Sequence, residues 1–393
     1  MAIFDVVFSS GGTKGIAFAG CAEVLVQKGH TLRRLIGTSA GAISVTLLAC
    51  GYDSQQILKL LQGDKGVSPF AGFIRPPDAA EVLEAVRRED SETRQLLRQG
   101  IIRAIDKYME TLTEKAPRIS AGLKVAIGLI GRGELYDKAF DAFFDVRPEA
   151  RSTIVPILSF LEFGGFFTID PVTDWLTKQI QVKIPAFRPD WTLLRFAQAT
   201  NRDISVITAD TSEKTALVLN HRTAPDCPLI QAVKMSMSIP MVWPEVAWQA
   251  DWGKYLGAVK TGHFCVDGAA ILNLPMRLFV DADNPKVKQI MGDPPAPVGH
   301  PLGLLLDDTL PVPGDIEPLK KSASKLIERA ERLIDTVTRW EDELAKKYES
   351  VICRIPTFGY SALEFASSSA RMDTLINSGR CAMLEYLQKR KFD

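Results

Sequence analysis

The sequence has little that would tie it to nucleic acid, a disulfide scaffold or a membrane span. Its 393 residues carry 47 Lys+Arg against 47 Asp+Glu, so no global field draws it to a polyanion. Any lipid contact must therefore be local and apolar. The six cysteines, Cys21, Cys50, Cys227, Cys265, Cys353 and Cys381, are scattered and form no C-x-x-C pair. That argues against a zinc ribbon or a disulfide framework and fits a reducing compartment. No apolar run approaches the ~18 residues of a spanning helix. The opening "MAIFDVVFSSGG" has neither a basic stretch nor a small-residue cleavage pattern, so no signal peptide is expected. Ligand-type side chains are not clustered, so no metal or other cofactor is expected. These features suit a cytoplasmic protein whose membrane contact, where it occurs, is peripheral. The oligomeric state has no signature in the sequence.

The remaining composition, 46% hydrophobic and 24% charged, is that of an ordinary globular chain. Residues 3–8, "IFDVVF", read as a buried strand ending at "SSGG". "GTKGIAFAGCAEVLVQKG" follows with helical spacing, and Gly29 suits a C-terminal cap. "LRRLIG" is a second strand, and "AGAISVTLLACG" a second helix closed by Gly51. Alternating strand and helix at this density predict the start of a parallel α/β sheet. From about 53 to 165 strand signals fade, giving a helical insertion that Asp53 and Ser54 can cap at its start. Within it, "ISAGLKVAIGLIGRG" and "IVPILSFLEFGGFF" are core helices or a cover over an apolar pocket. Strands return at "DISVITADT", "TALVLNH" and "HFCVDGAAILNLP", and "GDPPAPVGHP" reads as a surface loop. A C-terminal helical extension spans about 315–393. Leu326, Ala330, Leu333, Val337, Trp340 and Leu344 form a seam expected to pack on the protein's own body.

Three glycine-bearing turns carry chemistry. "SSGGTKG" (9–15) lies between a strand and a helix, where Gly11 and Gly12 can expose backbone N–H groups at a helix start. Such a nest holds an anion, either a phosphate or the oxyanion of an acyl intermediate. "GTSAG" (37–41) sets Ser39 among tiny neighbours at a strand-to-helix junction, the pattern of a nucleophile elbow or of a glycine-flanked helix cap. "VDGAAILNLP" (266–275) ends a strand at Asp267 and turns at Gly268, so the carboxylate reaches a site or caps the turn. A serine needs a base. Of the four histidines, His30, His221, His263 and His300, only His300 follows an acid in the Ser–Asp–His order of α/β-hydrolases.

In this order, "SGGTKG" (10–15), "GTSAG" (37–41) and "DGA" (267–269) resemble the three motifs of the patatin-like phospholipases. "MSMSIPMVWPEV" (235–246) and "NLP" (273–275) resemble the stretches around the family's aspartate, and "IPTFGYSALEF" (355–365) is loosely similar. The resemblance implies a single domain over 1–393 with a three-layer α/β/α fold, a mostly parallel central sheet, the helical insertion and the C-terminal helices. It implies a serine acyl hydrolase acting on phospholipids or related lipids through an acyl–Ser39 intermediate. Asp267 would serve as base and orienter in a Ser–Asp dyad, and the amides of Gly11, Gly12 and Thr13 as oxyanion donors, with Ala40 N–H beside them. Lys14 matches the family's basic position, and Gly15, Gly37, Gly41 and Gly268 support the turns. Ser10 departs from the family's glycine, which is harmless where φ is negative and strained where it is positive. The acyl chain would lie in a channel lined partly by segments between 119 and 169, including Leu129 and Phe166. A Ser–Asp–His esterase, a catalytically weak protein that keeps the fold as a scaffold, and a nucleotide binder using "SGGTKG" remain the alternatives.

Overall fold

In a computed structural model, residues 1–63, 68–115, 148–314, 346–365 and 367–392 are described. They fall into two compact units, Met1–Arg75 with Ile169–Asp393, and Pro76–Thr168.

The first unit is built on an eight-stranded sheet. Its strands are β1 (Ile3–Phe8), β2 (Thr31–Thr38), β3 (Asp203–Asp210), β4 (Thr215–Leu219), β5 (Val246–Ala247), β6 (Phe264–Asp267), β7 (His300–Pro311) and β8 (Ile352–Phe358). They lie in the order β8-β7-β1-β2-β3-β6-β5, with β4 also paired to β3. The five strands from β8 to β3 are mutually parallel, whereas β4, β5 and β6 pair antiparallel.

Parallel strands buried on both faces need apolar residues at consecutive positions, and Phe4, Val6, Val7 and Phe8 are all fully buried. Alternation then divides them between two helical layers. Val7, Ile36, Ile207 and Leu305 pack against Met276, Leu278, Phe279 and Met291 on one face. Phe8 points the other way, its ring edge-on to Phe18 at 5.4 Å, on helix α1 (Ala17–Gln27). This is the three-layer α/β/α arrangement expected from the sequence. The charged exception in β1, Asp5, is matched by its neighbour strand. Arg34 donates to its carboxylate at 2.7 Å and Arg33 at 3.0 Å. Burial pushes the Asp5 pKa up, but the two guanidinium groups outweigh it and hold the value below the ordinary range.

Helix α2 (Ala40–Ala49) follows β2, and α3 (Ser54–Gln62) follows α2. Asp53 caps α3 as the sequence suggests: its carboxylate accepts the Gln56 N–H at 2.8 Å, and the Gln56 side chain accepts the Asp53 N–H. Residues 53–75, read from the sequence as the start of the insertion, belong instead to this sheet unit, where α3 packs on α1. The C-terminal extension also differs from a purely helical reading. It contributes β8 to the sheet edge before the long helix Ser369–Arg390 returns along α1 and β8. The seam from Leu326 to Leu344 lies outside the described residues.

The second unit contains α4 (Ala79–Arg87), α5 (Glu92–Lys115) and α6 (Pro148–Phe163). Val82, Leu83 and Val86 of α4 form a small core with Val155 and Leu158 of α6. Phe166 stacks on Phe160 within this unit, ring centroids 4.4 Å apart. Leu129 and the stretch around it lie outside the described residues. After it, α7 (Asp170–Lys183), α8 (Leu193–Thr200) and α9 (Leu229–Met237) return to the sheet unit.

Candidate active site

Ser39 stands alone between β2 and α2 with φ 55° and ψ −119°, a conformation that costs a non-glycine residue of order 1–3 kcal/mol. The strain is sustained by the two glycines around it. A Cβ on Gly37 would lie 2.3 Å from the Gly41 carbonyl oxygen, and one on Gly41 would lie 2.4 Å from that of Phe8. No larger residue lets the chain reverse this sharply against β1. The turn leaves Ser39 only 1% exposed. Its hydroxyl donates to Asp267 Oδ2 at 2.5 Å, and its N–H donates to Ser236 Oγ at 2.9 Å.

The meeting of two residues 228 positions apart follows from strand pairing. Residues 206–210 of β3 pair with β4 on one edge. On its other edge, β3 pairs with β2 up to Thr38 opposite Ile207, and then with β6, where Asp267 is opposite Thr208. One strand arrives parallel and the other antiparallel, so their ends converge head to head. Ser39 is the first residue past the end of β2, and Asp267 is the last of β6.

Asp267 is buried and held from three sides. Its N–H donates to the Ser238 carbonyl at 2.8 Å, while Oδ1 accepts the Ala269 N–H at 2.9 Å and Oδ2 accepts the serine hydroxyl. Burial pushes its pKa up to about 7, outweighing the hydrogen bonds from Ser39 and Ala269 that favour the anion. Gly268 keeps the turn flat on the sheet, since a Cβ there would lie 2.4 Å from the Ile207 carbonyl oxygen.

The predicted oxyanion loop abuts this pair. Gly12–Ile16 form a single 3-10 turn leading into α1, with Gly12 at φ +54°. Gly15 backs onto the residue after the serine, where an added Cβ would lie 2.8 Å from that of Ala40. The first amides of the two helical segments, at Gly12 and Ala40, have no acceptor within their own helix. Thr13 departs from expectation: its N–H donates to the Ala362 carbonyl at 2.9 Å, and its hydroxyl to that of Ser361 at 3.0 Å. The strap Ser361–Phe365 thus fastens the third amide of the loop. Lys14 is buried, its N–H donating to the Gly11 carbonyl at 3.1 Å. Ser10 is absent from the positive-φ residues, so the serine carries no strain there. Its N–H donates to Asn273 Oδ1 at 2.8 Å.

A cleft beside the site is lined by Gly12, Ala40, Ile43, Leu47, Leu61, Phe73, Met237 and Trp243, among others. All belong to the sheet unit. The greasy segments read from the sequence as its walls do not supply the described lining. Sequence reasoning also passed over Ser236, Asn273 and Ala362. Asn273 had a signal in "NLP", but a backbone carbonyl such as that of Ala362 has none.

The histidines lie elsewhere. His300 opens β7 opposite Phe4, whereas Ser39 adjoins the far end of β1 at Phe8. Its ring packs on Phe392, centroids 4.9 Å apart. His263 Nδ1 contacts Asp210 at 2.9 Å, His30 Nδ1 accepts the Ala2 N–H, and His221 faces Asp203. Among the described residues, Asp210, Glu213 and His263 are a group spaced for a metal. The Lys260 ammonium already hydrogen-bonds both carboxylates there.

Residues 6–280 match the family model described as patatin-like phospholipase. The uncharacterized protein YqhO of Bacillus subtilis (strain 168) is 53% identical over 58 residues, which are 15% of this chain and 20% of YqhO. VipD from Legionella pneumophila is similar in structure at a TM-score of 0.42 and 14% identity, covering 98% of this chain and 66% of VipD. ExoU from Pseudomonas aeruginosa, solved with SpcU, gives 0.40 and 16%, covering 99% of this chain and 52% of the other. The chain therefore spans a fifth of the curated relative and about half to two thirds of the solved chains. No helix among the described residues is long and apolar enough to cross a membrane. Because the family match runs from the first strand past Asp267 and takes in well over half of the sequence, the chain belongs to the patatin-like phospholipase family.

Proposed function

We propose that this protein is a serine acyl hydrolase that cleaves acyl esters of phospholipids or related lipids at a lipid surface it contacts peripherally. The observation that carries the reading is the 2.5 Å hydrogen bond from the strained Ser39 to a buried Asp267. In the first half-reaction Asp267 takes the Ser39 proton as Oγ bonds to the ester carbonyl carbon, and the carbonyl oxygen becomes an oxyanion. Amides of Gly11, Gly12 and Ala40 face that charge; one such donor is worth ~10²–10³ in rate. The C–O bond of the ester then breaks and the departing alkoxide takes the proton from Asp267, leaving an acyl–Ser39. In the second half-reaction a water gives a proton to Asp267 and its oxygen attacks the acyl carbon. Collapse of this intermediate returns the proton to Ser39 and frees the fatty acid.

A carboxylate is ordinarily too weak a base for a hydroxyl, and desolvation remedies this by raising its proton affinity toward neutrality. Lys14, within the loop and buried, supplies a positive charge that supports the loop or meets a phospholipid headgroup. The experiment is covalent trapping: a fluorophosphonate should modify Ser39, located by peptide mass spectrometry, and Ser39→Ala should lose both the adduct and phospholipid turnover. Modification of a different residue, or full turnover by Ser39→Ala, overturns the proposal.

A further inference from the structure

One side chain touches the reacting pair without taking part in the proposed chemistry: Met237. It is the last residue of α9, which closes ahead of Pro240, and the chain on either side of it is tied to both members of the pair. Ser236 Oγ accepts the Ser39 N–H at 2.9 Å, and the Ser238 carbonyl accepts the Asp267 N–H at 2.8 Å. Between these two anchors the Met237 side chain meets the serine, its Sδ 3.8 Å from Ser39 Oγ. Met237 also lines the cleft, whereas Met235 on the same helix is fully buried. The route that brings an ester to the serine therefore brings a molecule little larger than water to this sulfur.

Resting on the acyl hydrolase reading, we propose that Met237 is an oxidation site through which hydrogen peroxide silences the enzyme. The thioether sulfur attacks one peroxide oxygen, and the S–O bond forms as the O–O bond breaks. The departing hydroxide takes the proton of the transferred oxygen and leaves as water, so sulfur is oxidised by two electrons and the peroxide reduced. A thioether is a weak acceptor and leaves the serine proton to Asp267, which holds it at 2.5 Å. A sulfoxide oxygen is a strong acceptor, and on this sulfur it stands within hydrogen-bond reach of Ser39 Oγ. It competes with Asp267 for the single hydroxyl proton and fills space that the ester carbon needs. The anchored backbone at Ser236 and Ser238 keeps the side chain from withdrawing.

The test is a hydrogen peroxide dose series on the full chain, read by tandem mass spectrometry of the methionines and by the rate at which a fluorophosphonate labels Ser39. In wild-type protein Met237 should oxidise ahead of Met235, and the labelling rate should fall in step with the Met237 sulfoxide fraction, by about 10²-fold at completion, while circular dichroism stays unchanged. Met237→Leu keeps every other oxidisable side chain, so at the same doses its labelling rate should stay within about twofold of its own untreated value. The wild-type relation decides the matter by itself where the variant does not fold. Normal labelling of protein fully oxidised at Met237 overturns the proposal, as does equal loss in folded Met237→Leu. Absence of the sulfoxide at a dose that converts free methionine in the same tube also overturns it. All three leave the hydrolase reading standing. Failure of untreated wild-type protein to label at Ser39 overturns both.

Discussion

At the scale of single residues, the site depends on two groups held where neither is comfortable. Ser39 occupies a backbone region that favours glycine, and Asp267 keeps a carboxyl group in a place that disfavours its charge. Replacing Asp267 by Asn preserves volume and an acceptor for the Ala269 N–H but removes the carboxylate proposed as base, so phospholipid turnover should fall about 10⁴-fold. Turnover within about tenfold of wild type would exclude Asp267 as the base. The pH dependence follows from the same burial. Only the ionised carboxylate accepts the serine proton, so kcat/KM should climb through an apparent pKa of about 7; a flat profile from pH 5 to pH 9 would contradict this. Gly41 tests the geometry of the turn. A methyl group 2.4 Å from the Phe8 carbonyl oxygen cannot be accommodated without moving β1 or α2, so Gly41→Ala should cost about 1–3 kcal/mol of stability and most of the activity, read by chemical denaturation and ester turnover.

At the scale of elements, the first two strands and helices, the elbow, and strands β3, β4 and β6 were legible because their apolar runs end at glycines or turn residues. The cleft was not. The greasiest segments drew attention as its walls, yet hydrophobicity reports burial without saying which core a residue enters. Phe166 stacks within the second unit, whereas Leu61 and Phe73, in far less conspicuous sequence, line the cleft. Strand β8 was hidden by Pro356 and by Arg354, which is paired to Asp307 and Glu349. The strap Ser361–Phe365 was legible only as a loose likeness, since its contact with the loop runs through a main-chain carbonyl. That strap is anchored by Glu364, whose carboxylate accepts from Arg371 Nε at 2.9 Å, with the Arg371 guanidinium over the Tyr360 ring at 4.1 Å. Glu364→Ala leaves a buried guanidinium without its carboxylate, a loss of about 3 kcal/mol. With Ala362 no longer fixed over Thr13, Ser39 should also label several-fold more slowly. A lower melting temperature with an unchanged labelling rate would show that the strap has no part in positioning the loop.

At the scale of the whole sheet, the topology does what neither motif can do alone: β2 and β6 share one edge of β3, so a serine near the start of the chain and an aspartate far along it close the same gap. The same register carries His300 to the opposite end of β1, and His300→Ala should leave kcat/KM within about twofold, since nothing there reaches the reacting atoms. A buried acid at the centre of the fold also links activity to stability. The folded-state pKa of Asp267 lies near 7, above the 3.8 of a free aspartate, so between those values the folded protein holds a proton that the unfolded chain has released. Its contribution to stability is complete below pH 4 and is lost as pH rises through about 7, a loss on the order of 4 kcal/mol. Other groups act in the opposite sense: Asp5, Asp210 and Asp307 have lowered values and lose their contribution in acid. Burial lowers His30 and His221, so theirs is lost as pH falls through the ordinary histidine range. Comparison with Asp267→Asn cancels these shared contributions, because the variant keeps all of them and lacks only the titrating carboxyl. Urea unfolding should therefore find the two proteins similar near pH 4, with the Asn variant gaining the advantage steadily to pH 8. Parallel stability curves across that range would mean that Asp267 is ionised at no cost in the folded protein, and would remove desolvation as the source of its basicity.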